Sequence, residues 1–237
     1  MSDRQFLRVG GGAAVVGAAL ALVGNLLHPR YDAPDDEIYR RIAGSDRFRV
    51  ADFILFAALI LLVAGTIAIA RSMRDGVGGL LSEYGRLATV VGGTIAIAQF
   101  GVETYGLRQQ AAVFAGASAQ DTVGAFWATN AIDRLNSALF DTWTIVFLGL
   151  APLLLGVAML RTRRFPAWLG VLGALGGAVC VVVGCINLAR DDQTTTQVPF
   201  LIGSLLVTAW LLGAGAMLIR LTGNEDVDSG VAVSVTG

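Results

Sequence analysis

Carboxylates set inside otherwise apolar sequence are the side chains here with the clearest chemical potential. Glu103 closes the uncharged interval 87–102, and Asp141 opens the uncharged interval 142–160. Two carboxyl groups held together out of water do not both ionise readily, so such a pair retains a proton at neutral pH and can donate it. In that role Glu103 is the acid and Asp141 its counter-charge, a chemistry suited to protonating an alkene or epoxide or to relaying protons. A plainer arrangement uses the same residues without catalysis. Glu103 then pairs with Arg108 or Arg134, and Asp141 caps or pairs locally at a helix end.

Other polar residues cluster around the same interval ends. Asn25 and His28 close the first apolar interval, Asp52 opens the second, and Gln99 lies one helical turn before Glu103. Arg134, Ser137 and Asp141 follow an i, i+3, i+7 pattern, and Asn187 with Arg190 ends a later interval. Polar groups at membrane depth are costly, so their placement marks a binding site. The expected lining is Asn25, His28, Asp52, Gln99, Tyr105, Arg134 and Trp143, with Phe100 and Phe140 as further apolar wall. Such a pocket suits a lipidic or isoprenoid ligand.

His28 is the only histidine. A bis-His haem is therefore excluded within one chain, and a zinc site would have to be completed by Asp52, Glu103 or Asp141. An interfacial His that ends a helix before Pro29 needs no ligand at all, and neither a metal ion nor a cofactor is expected. Cys180 and Cys185 lie five apart in an apolar run. On a helix that separates them by about 140°, which suits buried thiols better than a bridge or a redox pair. No Gly-x-Ser-x-Gly and no His-Glu-x-x-His occurs, so the common hydrolase signatures are absent.

The elements that must position these residues are membrane helices. The chain has 237 residues, 55% hydrophobic and only 15% charged, with a mean hydropathy of +0.68; soluble domains carry about 25% charged residues. Uncharged intervals run over 9–27, 53–70, 87–102, 142–160, 165–189 and 193–219, and a crossing helix needs about 20 residues. The expected fold is an all-α, polytopic transmembrane helical bundle. Its six spans fall at about 9–28, 51–70, 87–106, 139–160, 166–189 and 198–219, forming one domain over 1–220, with a disordered tail over 221–237. The third interval is short, so its helix either continues through Glu103 or begins before Arg86. Glycines at 92, 93, 173, 176, 177, 213 and 215 suit close packing of helices in lipid, and none follows a strand pattern that would make a phosphate loop.

Orientation follows Arg density, since none of the 17 basic residues is Lys. Residues 1–8, 71–86 and 161–166 carry eight Arg in 30 positions, whereas 29–50, 107–138 and 190–198 carry eight in 63 positions and nine acids besides. The Arg-dense side is expected to face the cytoplasm, with both termini. Ser2-Asp3-Arg4 lacks the paired Arg of a twin-arginine signal, and no small-x-small site follows the apolar run, so the first span is expected to be retained. In the first outer loop Pro34, three acids and then Arg40 and Arg41 fit a short interfacial helix. Segment 107–138 has helical spacing and is expected to extend the third and fourth helices or fold back as a lid. The net charge of −1 and the lack of an Arg run interleaved with aromatics exclude nucleic acid as a partner; the bilayer itself is the expected one.

The run Asn25-Leu26-Leu27-His28-Pro29-Arg30, an acidic loop, and a span ending before Arg71 resemble uncharacterised six-helix integral membrane proteins of actinobacteria and haloarchaea. Phe165-Pro166-Ala167-Trp168-Leu169-Gly170-Val171-Leu172-Gly173 resembles the turn that opens their fifth helix. The resemblance covers roughly residues 9 to 220. In that group a second His commonly begins the second helix, where this chain has Asp52, and the departure bears on any shared metal or haem role. The resemblance implies a fold and a prokaryotic plasma-membrane location, and no activity.

Three function classes fit. A non-catalytic partner, sensor or immunity-type membrane protein leads, favoured by the absence of strong catalytic motifs. An intramembrane enzyme on a lipidic or isoprenoid substrate follows, with Glu103 and Asp141 as its acids; it resembles the membrane terpenoid cyclases in size and in paired intramembrane acids, without a residue-by-residue match. A small transporter or proton-coupled carrier is third, lacking an evident inverted repeat.

Overall fold

The computed structural model describes residues 2–28, 33–74, 76–190 and 195–232, with side chains through residue 223. Among them the helices are α1 (Asp3–Leu27), α2 (Asp35–Ala43), α3 (Asp46–Arg71), α4 (Gly76–Gly101), α5 (Arg108–Ala115), α6 (Thr122–Trp143), α7 (Ala151–Thr162), α8 (Ala167–Arg190) and α9 (Gln197–Ala232). A π-helical turn, Val102–Leu107, joins α4 to α5, and a second, Thr144–Leu150, joins α6 to α7. Six continuous helical stretches are therefore long and apolar enough to cross a membrane: Asp3–Leu27, Asp46–Arg71, Gly76–Ala115, Thr122–Thr162, Ala167–Arg190 and Gln197–Gly223. The fold is a polytopic helical bundle.

The six stretches close a ring in chain order. α1 packs on α3, α3 on α4, α4 on α7, α7 on α8, α8 on α9, and α9 returns to α1. Backbones approach closely where side chains vanish. A Cβ on Gly65 would lie 2.6 Å from the backbone of Ala14, so α1 and α3 meet at a position only Gly can occupy without displacement. Inside the ring lies one apolar core, including Phe100, Phe147, Leu155, Met159, Trp210 and Leu218. The Trp210 indole N–H points at the Met159 sulfur, 3.3 Å away.

Helix ends are tied by side chains. Ser2 and Gln5 form a reciprocal capping box on α1, and the Ser45 hydroxyl accepts from the Phe48 N–H to start α3. The last carbonyls of α1 are met by Arg47, whose Nε donates to Leu27 O at 2.7 Å and whose Nη2 donates to Leu26 O at 3.2 Å. That tie brings the end of α1 beside the start of α3. At the opposite, Arg-dense end Arg71 pairs with Asp3 at 2.6 Å and lies over the Phe6 ring, and Arg164 donates to Ser72 O at 2.8 Å.

The short helix of the first loop is α2, with Asp35, Asp36 and Glu37 in its first turn and Arg40 and Arg41 in its last. It packs on α5 and α6. The contact is a second apolar cluster of Tyr39, Ile42, Phe48, Leu107, Ala111 and Phe114, which caps the bundle at the end where α1 finishes and α3 begins. The third and fourth spans extend into this cap as α5 and the first turns of α6. The third begins at Gly76, ahead of Arg86, and also runs through Glu103 to Ala115. Apolar composition marks only the lipid-facing stretch; cap contacts hold the rest helical. At the chain's other end α9 continues past 221 to Ala232. A helix already formed adds residues without a new nucleation cost. The remainder of the expected tail, 233–237, lies outside the described residues, as do 29–32 and 191–194.

Candidate functional site

Where α1 ends, His28 closes the helix with its N–H on Gly24 O, and its ring leans on the buried Phe48 at 5.3 Å between centroids. Asp52 lies less than two turns into α3, fully buried. Glu103 and Thr104 sit on the π-helical turn that follows α4. These three helix ends converge. His28 Nε2 is 3.5 Å from Asp52 Oδ1 and 3.6 Å from Glu103 Oε1. One nitrogen and two carboxylate oxygens thus lie within 4.8 Å of one another.

Each carboxylate is anchored by its other oxygen. The Thr104 hydroxyl donates to Asp52 Oδ2 at 3.1 Å, and the Gln99 amide donates to Glu103 Oε2 at 2.6 Å. Gln99 is itself buried and donates to Asn136 Oδ1 on α6 at 2.8 Å. Asp52 Oδ1, by contrast, is buried and makes no hydrogen bond among the described residues. Burial by itself would lower the His28 pKa, but the Asp52 and Glu103 carboxylates close by outweigh it and raise the imidazole to about 10.

A neighbouring polar layer lies in the cap. The Tyr39 hydroxyl donates to Asp133 Oδ2 at 3.1 Å and accepts from Asn130 at 3.3 Å. Burial and then the Asp133 charge hold the Tyr39 phenol above its ordinary pKa. Deeper between α6 and α8, Asn187 donates to Asp141 Oδ1 at 3.0 Å, and the Thr196 hydroxyl donates to Asn187 Oδ1. Beside it the second π-helical turn begins at Thr144, whose buried hydroxyl, like the Trp143 indole N–H, has no hydrogen-bond partner among the described residues.

The structure therefore brings together His28, Asp52, Gln99 and Glu103. Glu103 accepts from Gln99 and faces His28, and Asp141 accepts from Asn187. Asn25 is exposed and its amide turns back to Ala21 O at 2.8 Å. Tyr105 is 69% exposed and Arg134 is exposed. Trp143 packs edge-on against Phe140 and tilted against Phe147. Thr104 and Asn136 were not singled out from the sequence. Asn136 is one of two amides on α6, five residues before Asp141 and off the face that the Arg134, Ser137, Asp141 spacing marks.

A family described as a domain of unknown function, DUF4386, matches residues 9–215, a stretch that includes every residue of the His28 cluster. The chain belongs to the DUF4386 family. No curated protein and no solved structure matches it significantly. Among the described residues the densest chemistry of this DUF4386 chain is a partly exposed imidazole and two buried carboxylates at one end of a six-helix bundle.

Proposed function

We propose that this DUF4386 protein is a non-catalytic, ligand-binding integral membrane protein of a prokaryotic plasma membrane, of the actinobacterial and haloarchaeal kind its sequence resembles. Both termini are cytoplasmic, and the His28 end opens outward. Arg density at the opposite ends of the spans supports that orientation. The ligand of the outward site is a cation, and the protein acts as a sensor or partner subunit for it.

One observation carries this reading: Asp52 is fully buried and its Oδ1 is left without a hydrogen bond while facing His28 and Glu103. A buried acceptor left unsatisfied costs about 1–3 kcal/mol, more for a charged group. A cation between the carboxylates removes that cost.

The test is purification in native lipid of wild type, Asp52→Asn and the double variant Glu103→Gln/Asp141→Asn, with mass spectrometry and elemental analysis of what co-purifies. A cation present in wild type and lost with Asp52→Asn is the expected result. An isoprenoid or lipid lost only in the double variant would favour the acid–base enzyme instead. For orientation, Ser118→Cys in the cap should react with an impermeant maleimide on intact cells; labelling only after lysis would reverse it.

A further inference from the structure

We propose that His28 Nε2, Asp52 Oδ1 and Glu103 Oε1 together bind one divalent transition-metal ion, the cation of the outward site. This rests on the cation reading above and names its chemistry.

The spacing is the first support. At 3.5 and 3.6 Å the imidazole nitrogen is too far from either carboxylate oxygen for a good hydrogen bond, which runs about 2.7–3.2 Å. Ligands on a tetrahedral ion with bonds of about 2.0–2.1 Å stand about 3.3–3.4 Å from each other. The two edges from His28 are within a few tenths of an ångström of that length, and the Asp52 to Glu103 edge, within 4.8 Å, has to close to the same length to complete the triangle.

The orientation of the carboxylates is the second support, and it is independent of the first. Thr104 holds Asp52 by Oδ2 and Gln99 holds Glu103 by Oε2. Each acid thereby turns its other oxygen toward His28, with Asp52 Oδ1 buried and without a hydrogen bond among the described residues. Partners that orient ligating groups in this way are the usual outer layer of a metal site. Asn136 extends the layer by fixing Gln99. The π-helical turn at Val102–Leu107 is what lets two consecutive residues, Glu103 and Thr104, serve this one cluster, and such turns recur at functional sites.

Charge and donor type then narrow the ion. The ion displaces the His28 proton, so two carboxylates, the then neutral imidazole and a divalent ion sum to zero, the only net charge that sits cheaply against apolar helices. A single imidazole beside two hard oxygens excludes copper(I), which selects sulfur, and disfavours magnesium and calcium, which take oxygen alone. Zinc, manganese(II), iron(II) and cobalt(II) are among the ions that suit this donor set. Three protein ligands also leave a coordination position for water or an exogenous group.

The experiment uses the full chain in nanodiscs, carrying an affinity tag without histidine. Zinc, manganese(II), iron(II) under exclusion of air, and cobalt(II) are each tested as the ion alone, by equilibrium dialysis and elemental analysis. The expected result is one ion per chain, bound at least about tenfold more weakly by Asp52→Asn, Glu103→Gln and His28→Gln and unchanged in Asp141→Asn. Should the ligand variants not fold, wild type alone decides. His28 is the only histidine, so pulsed electron paramagnetic resonance of the bound manganese(II) must show coupling to one imidazole nitrogen. Failure of folded wild type to take up any of the four ions, or uptake without nitrogen coupling, overturns the metal site. If an organic cation then co-purifies and is lost in Asp52→Asn, the cation reading survives without the metal; if nothing does, both fall.

Discussion

The Thr104 hydroxyl reaches across from the π-helical turn after α4 to hold Asp52 of α3 by Oδ2, at 3.1 Å. That contact joins two spans through a fully buried carboxylate and settles which of its oxygens faces His28. Thr104→Val keeps the shape and removes the hydroxyl. It should destabilise the protein by about 1–3 kcal/mol and weaken ion binding by about tenfold. Thr104→Ser should restore both. Thermal unfolding in nanodiscs and ion competition measure the two effects.

Arg47 governs the other side of the cluster. Its guanidinium meets the Leu26 and Leu27 carbonyls, so the last turn of α1 stays closed and His28 stays at its register. Arg47→Ala should leave those carbonyls to water, costing about 1 kcal/mol. Hydrogen exchange should speed up in the last turn of α1 and remain unchanged in α8. Arg47→Lys, with one compact ammonium in place of a planar fork, should recover only part of the protection.

Gly65 tests whether the helix approach, rather than the polar cluster, carries the α1–α3 pairing. A Cβ there falls 2.6 Å from both N and Cα of Ala14, so the two backbones must separate. Gly65→Val should cost at least about 1–3 kcal/mol, the range of overpacked cores. Differential scanning calorimetry would show a lowered melting temperature. An unchanged one would mean that α1 and α3 are not held by close packing.

Alkaline pH should open the cap. Tyr39 has a raised pKa in the folded protein, so its contribution to stability is fully present below pH 10, the ordinary phenol value, and is lost as pH rises beyond it toward the folded value. Phenolate absorbance should show a late-titrating Tyr in wild type that is missing from Tyr39→Phe. The same variant should lose the alkaline step in α2 exchange. A Tyr39 that ionises at its ordinary pH would contradict the buried hydrogen bond to Asp133.

How far the site can be read from the chain follows from what burial costs each group. His28, Asp52, Gln99 and Glu103 stand out as polar residues at the ends of apolar intervals, and the structure gathers all four. Thr104 and Asn136 do not stand out, because Thr in a membrane helix ordinarily satisfies its own hydroxyl on the preceding turn, as Thr66 and Thr89 do here. Asn25 does stand out, and it turns back to its own helix all the same. Glu103 and Asp141 look like a pair because both lie at interval ends. Which face each presents depends on helix rotation, which sets Glu103 beside His28 and Gln99 and Asp141 beside Asn187.

Span number and helical class were determined by the sequence by itself, because a bilayer requires about 20 apolar residues per crossing and every backbone group paired within its own helix. Those requirements act locally and leave their record in composition. The cluster of one imidazole and two carboxylates was decided only by tertiary structure. Its members come from α1, α3 and the turn after α4, with His28 and Glu103 far apart in the chain, and they meet because glycine contacts set how closely the helices approach and because Arg47 and the π-helical turn set their rotation. A side chain's direction around a helix axis is a matter of about 100° per residue, and one π-helical turn is enough to change it.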